Sequence, residues 1–272
     1  MRIVRKILAA PLKLALQIFA FFPKIDKFRL VELIWKIGQE LDYAGTYIFL
    51  TRLKKGIESA RETGEKIYKE YPSDKIAGLM GVIEYDEYNL HAAKEWLEKG
   101  RQCLQTNPES LLFLELELSD HLNEYNIEMV ITNILSRRDL SMTFTTKVLA
   151  TQAEIFLRKR KWEEADAILE RILQVQDVPG VRWMKWTVAK AKSNDMEAQK
   201  QLRLAKTKKQ KEVPNIFMAL GWYYLGDISK TREYLAKAIQ DGLTKIRITQ
   251  INRDLGALFE TDVVGQQQEK IN

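Results

Sequence analysis

One short helical signature returns through this chain at near-constant spacing. A small residue is followed four positions later by a large apolar one, and three further on by a small or apolar one. It reads Ala165, Leu169, Ile172, then Ala198, Leu202, Ala205, then Thr231, Leu235, Ala238. The step from Ala165 to Ala198 equals the step from Ala198 to Thr231. An earlier occurrence, Ala93, Leu97, Gly100, precedes Ala165 by slightly more than two such steps, room for two units and a short insertion. The intervening unit is predicted near Met129, in EYNIEMVITNILSRR, which has the apolar pattern without the small residue. Each signature follows another amphipathic stretch, at 76–88, 147–157 and 215–225. The small residue lets a neighbouring helix approach, and the large one a turn later fills the gap. Such a helical pair cannot bury its apolar face alone, so it stacks on the next pair.

Composition agrees with an all-α chain. Of 272 residues, 46% are hydrophobic and 29% charged, enough to build a core and unlike a disordered chain. Only 13 Gly and 6 Pro are present, too few for the many tight turns of a sandwich, a barrel or a glycine-rich nucleotide fold. One cysteine and two histidines exclude an intrachain disulfide and leave too few ligands for the usual structural zinc site. No phosphate loop, G-x-G-x-x-G, H-E-x-x-H or G-x-S-x-G occurs. His91, His121 and Cys103 read as surface or packed helical residues, and the acids of LLFLELELSD as an exposed helix side. No catalytic residue, metal or cofactor is expected.

In period and pattern the chain resembles the tetratricopeptide-repeat family over about residues 74–242. The unit 212–242 carries the family pattern in Ala219, Trp222, Gly226, Ile228, Thr231, Leu235 and Ala238. The unit 146–179 carries it in Ala153, Phe156, Trp162, Ala165 and Leu169, with Pro179 two residues late. The unit 74–108 has Gly81, Leu90, Ala93, Leu97 and Gly100, with Pro108 three residues late. The unit 180–211 keeps Ala198, Leu202 and Ala205, and its first helix fits only with a turn one residue short at Ser193-Asn194-Asp195. The unit 109–141 departs most. The resemblance implies a right-handed superhelical solenoid whose first helices line a concave partner-binding groove. Carrying over the groove positions gives Lys147, Ala150, Glu154, Leu157 and Arg158 in one unit. In another it gives Val213, Ile216, Leu220, Tyr223 and Tyr224. In the unit 180–211 the uncertain register leaves Trp183, Met184, Trp186 and Lys190. For Trp183, Trp186, Trp222 and Tyr224 a core-packing role stands as the rival. Residues 24–73 read as a helical cap or a degenerate first repeat, the span 74–243 as the repeats, and 244–272 as a capping helix, to about residue 260, with a tail.

The N-terminus is of another kind. Residues 1–25 hold Arg2, Arg5, Lys6, Lys13 and Lys24 and no acid. Leu12, Leu16, Phe19 and Phe22 fall near one helical face of residues 1–23. Pro11 and Lys13 interrupt the apolar run, which makes it a poor spanning segment. The small-x-small cleavage pattern of a secretory signal is missing. The expectation is an in-plane helix with Arg2, Arg5 and Lys6 on lipid phosphates and Leu12, Leu16, Phe19 and Phe22 in the acyl boundary. A helix packed on protein is the alternative.

Net charge is +6 and the sequence pI about 9.1. A basic run at 200–211 and an acidic stretch at 109–128 contribute in opposite senses. The functional expectation is a non-enzymatic scaffold that binds a protein partner and supports assembly of a membrane complex. A bacterial inner membrane is favoured and an organellar membrane is possible. The alternative is nucleic-acid binding, motivated by 200–211 and Arg158-Lys159-Arg160-Lys161. The acids that interrupt any continuous basic stripe argue against it.

Overall fold

The structure is a computed structural model and describes residues 41–103, 108–122, 126–205 and 214–258, without the side chains of 41–43 and 179. The segment 1–23 with its expected lipid contacts, residues 24–40, the lysines from 206 to 211, Val213 and the tail from 259 lie outside the described residues. Every regular element among the described residues is a helix, and these fall into two compact units that divide between Tyr125 and Asn126.

The first unit contains α1 (Leu41–Lys55), α2 (Ile57–Glu70), α3 (Asp74–Asp86), α4 (Leu90–Cys103) and α5 (Glu109–Leu122). Helices α1 and α2 pack as one pair and α3 and α4 as another, with α5 against both members of the second. Ala93 and Leu97, the small and large residues of the signature, are fully buried. Ala60, one full step of the signature before Ala93, is equally buried. Burying a leucine such as Leu97 contributes roughly 2 kcal/mol.

The second unit opens with α6 (Ile127–Leu135), close to the predicted place of the missing repeat. It continues with the pairs α7 (Met142–Arg158) and α8 (Trp162–Val175), α9 (Pro179–Ala191) and α10 (Asp195–Ala205), α11 (Asn215–Leu225) and α12 (Ile228–Gln240). The short helix α13 (Lys245–Ile251) and a helical stretch from 253 to 258 follow. Helix α9 lies against both α7 and α11. Ala165, Leu169, Ala198, Thr231, Leu235 and Ala238 are buried, as the signature requires.

In four of the five pairs, all but α1 and α2, the turn is built the same way. Tyr88, Arg160, Ser193 and Gly226 take left-handed φ values of 60°, 56°, 55° and 83°. Each N–H donates to the carbonyl three residues back, and the next N–H donates to the carbonyl five back, as in Asp227 to Trp222 at 3.0 Å. This Schellman arrangement satisfies carbonyls that the end of the first helix would otherwise leave open. The residue after the left-handed one already caps the second helix. Asn89, Asn194 and Asp227 accept from Ala92, Glu197 and Lys230 N–H through their side chains. Arg160, Ser193 and Gly226 are evenly spaced, at the same step as the signature. The turn at Ser193 is therefore of full length, which corrects the expected one-residue deficit in the unit 180–211. The misfit has another cause. Trp186 occupies the position, twelve before the small residue of the second helix, that Gly81, Ala153 and Ala219 hold elsewhere. Gly221 on α11 makes the room, since a methyl group there would stand 2.3 Å from the Trp186 ring.

Two further expectations change. The single helix expected from 244 to 260 is broken at Asn252, whose φ of −157° ends α13. Its side chain accepts from Leu255 N–H at 3.0 Å and starts the next helical turns. The acids of α5 do not form a solvated side: Glu115 receives Arg101 Nη2 at 2.9 Å, and Glu117 accepts the Tyr85 hydroxyl at 2.7 Å.

Candidate functional site

Three first helices of the second unit bring most of the sequence-predicted residues together. The last turns of α7 carry Glu154 and Arg158, α9 carries Trp183, and α11 carries Phe217, Tyr223 and Tyr224. The helical period places Glu154 and Arg158 on one face, and Arg158 Nη2 donates to Glu154 Oε1 at 3.2 Å. Tyr224 donates its hydroxyl to the same oxygen at 2.5 Å and accepts from Asn252 Nδ2 at 3.1 Å. The Tyr224 ring stacks on Trp183 with centroids 6.4 Å apart, and Trp183 lies parallel to Phe217 at 5.5 Å. Asn252 is 2% exposed.

Burial pushes the Tyr224 phenol well above its ordinary pKa, the Glu154 charge adds to the effect, and Arg158 opposes it. The hydroxyl is thus a permanent donor to Glu154 at neutral pH. Burial also raises Tyr223, together with the nearby charge of Asp254. The Tyr224 hydroxyl joins the Asn252 side-chain amide to the Glu154 carboxylate.

The predicted partner residues part company here. Trp183 and Tyr224 are 3% exposed and belong to the core, the packing role of the two that were open. Trp186 and Met184 are buried as well, while Trp222 is half-buried under the Lys230 ammonium, 3.9 Å from its ring centroid. Glu154, Arg158 and Tyr223 are half-buried at the edge of the cluster. Lys190 pairs with Asp195 at 2.6 Å, in the turn between α9 and α10. Lys147 is exposed, about 10 Å along α7 from Glu154 at roughly 1.5 Å per residue. Ile216 and Leu220, also placed in the groove by the resemblance, are buried, so the face of α7, α9 and α11 is filled rather than open.

Compared with family models and with curated proteins, the chain matches none. The geometry therefore carries the functional argument alone.

Sequence reasoning missed Asn252, Asp254 and Phe217. For Asn252 a signal existed, because it follows Ala219 by one full step of the signature, at the small-residue position of a further first helix. A second feature is a cleft of about 210 Å³ lined by Glu128, Ile131, Thr132, Gln152, Ile155, Phe156 and Lys161. In the first unit Tyr85 meets both Glu117 and His121, with the His121 ring edge-on at 5.5 Å. His121 is buried there as a packed residue. Among the described residues no group of three or more His, Cys, Asp or Glu could hold a metal ion. No described helix is long and apolar enough to cross a membrane.

Proposed function

We propose that this chain is a non-enzymatic adaptor of the tetratricopeptide-repeat kind. Its helical pairs continue as a right-handed superhelix within the repeat region and engage a protein partner. Residues 1–23 lie in the surface of a membrane, bacterial inner or organellar, and the adaptor supports assembly of a complex there. One observation carries the reading: four helical hairpins share one turn geometry, three of them evenly spaced, with the small residue buried five positions after each left-handed one. Packing alone makes helical pairs, but it does not impose a common period on their turns.

The nucleic-acid alternative gains little support from residues 158–161. Arg158 is bonded to Glu154, Lys159 is paired with Glu128, and Lys161 faces the Phe156 ring at 5.9 Å. Cations bound to different internal partners form no track for a phosphate chain.

Deletion of residues 1–23 is expected to move the protein from the membrane fraction to the soluble fraction, with helical content retained. A truncated form that stays with the membrane excludes the anchor. Purification in mild detergent followed by chemical cross-linking is expected to join Lys147 and Lys190 to a co-purifying protein. Charge reversal at both, Lys147→Glu and Lys190→Glu, is expected to lower that yield severalfold; an unchanged yield rules out this face as the docking surface.

A further inference from the structure

The filled face of α7, α9 and α11 raises the question of what fills it. Part of the answer is the run of chain after α12. Helix α13 makes no extensive main-chain approach to any other described helix, whereas α11 lies along α9. Side chains hold the segment instead. Ile248 and Leu255 are fully buried, Asn252 lies between them, and the Asp254 charge stands near Tyr223. Gln250 and Gly256 are buried too, and Ile251 and Leu258 pack against the same core, while residues 244–247, 253 and 257 face water, with Ile246 at 54% exposure. The segment leaves α12 through an exposed turn at 241–242 in which Gly242 holds a φ of 95°. It is thus a short stretch anchored chiefly by Ile248, Asn252 and Leu255, with a break in the middle and a glycine at its base.

Through Asn252 the segment meets one of the positions that the resemblance assigns to a partner, and two more stand behind it. The amide of Asn252 is read by Tyr224, and the Tyr224 hydroxyl is aimed by Glu154, which Arg158 holds in turn. We infer that residues 245–258 are a resident self-ligand of this face, an autoinhibitory contact that a partner helix of the same chemistry displaces. The chemistry is an apolar side chain, an amide four residues later and a second apolar side chain three further, as in Ile248, Asn252 and Leu255. An intramolecular occupant enjoys a high effective concentration, so the intact chain answers only to a partner that binds this face more tightly or is presented locally.

The inference rests on the adaptor reading, yet the two fail separately, since Lys147 and Lys190 lie outside this contact. The test uses the full chain and a fluorescent peptide of residues 245–258. In the variant Ile248→Ser with Leu255→Ser the resident segment is loosened. That variant is expected to bind the peptide at least tenfold more tightly than the unaltered chain. Adding Tyr224→Phe is expected to weaken peptide binding severalfold, because the amide loses its reader. Circular dichroism during urea unfolding accompanies each variant. A folded double variant that binds the peptide no better than the unaltered chain overturns the inference. So does a double variant that has lost cooperative unfolding, since the segment is then core rather than ligand. Cross-linking at Lys147 and Lys190 decides the adaptor reading whichever result is obtained.

Discussion

The left-handed turn residues show how repetition overrides local preference. Glycine reaches positive φ without penalty, whereas a side chain costs roughly 1 kcal/mol there. Only Gly226 follows that preference; Tyr88, Arg160 and Ser193 do not. Tyr88 has a compensating contact with the His121 ring at 6.3 Å, and Arg160 lays its guanidinium against Gly226. Ser193 is exposed and shows no such contact among the described interactions. Ser193→Gly is therefore expected to stabilise the fold by about 0.5 kcal/mol, the relief of strain being partly offset by a more flexible unfolded chain. Urea denaturation reads this as a higher midpoint at unchanged slope, and a lower midpoint contradicts it. Gly226-Asp227 and Ser193-Asn194 were readable as turns because their residues favour them. Tyr88-Asn89 and Arg160-Lys161 carry much weaker signals, and spacing alone points to them. The candidate site was half legible for another reason: the resemblance to the repeat family pointed to Glu154, Arg158 and Tyr224, but whether a ring faces solvent or core depends on neighbours far away in sequence.

At the level of the helix, the recurring small residue explains both the success and the failure of pattern reading. Ala93, Ala165, Ala198 and Thr231 are all buried in the second helices of their pairs, so a fixed spacing betrays them. Trp186 breaks the rule on the first helix of its unit, and the compensation lies a whole hairpin further along the chain, at Gly221. No local window contains both. Gly221→Ala is expected to cost about 2 kcal/mol by overpacking, since the new methyl group meets the Trp186 ring at 2.3 Å and Thr187 Oγ1 at 2.8 Å. Thermal unfolding measures the loss, and Trp186→Leu in the same chain is expected to recover part of it. Equal stabilities for Gly221→Ala and the parent contradict the crossing described here. The break at Asn252 was hidden for another reason. The apolar spacing of 245–258 runs on as if unbroken, while the asparagine side chain offers the backbone N–H of Leu255 an alternative partner.

Across the whole molecule, ion pairs stitch the second helix of one pair to the first helix of the next. Arg61 on α2 grips Glu84 on α3 through two bonds of 2.7 Å, and Arg101 on α4 holds Glu115 on α5. In the second unit Lys185 on α9, 6% exposed, reaches both Asp166 and Glu170 on α8. Charge counts in the sequence read such residues as solvated, because partner choice is invisible in one dimension. Their titration gives stability a definite shape. Burial pushes Asp166 up, but the bonds from Lys185 and Lys192 outweigh it and hold the carboxyl below 3.8. Its contribution is present above that value and disappears as pH falls through the lowered one. Burial lowers Lys185, but Asp166 and Glu170 outweigh it and hold the ammonium above 10.5. Its contribution is complete below 10.5 and is lost as pH rises through the raised value. Lys185→Met is expected to flatten both limbs in urea midpoints taken across the acid and alkaline ranges, most clearly on the alkaline side. A variant with the same alkaline decline as the parent removes Lys185 as its cause.

In the four hairpins that share the left-handed turn, the residue that halts one helix is followed at once by the residue that launches the next. No spare link exists at these corners, so an inserted amino acid would rotate everything downstream out of phase. Changes of length are therefore expected at the joints between hairpins. A lineage of such chains is expected to lengthen or shorten by duplicating and discarding whole hairpins, in countable steps.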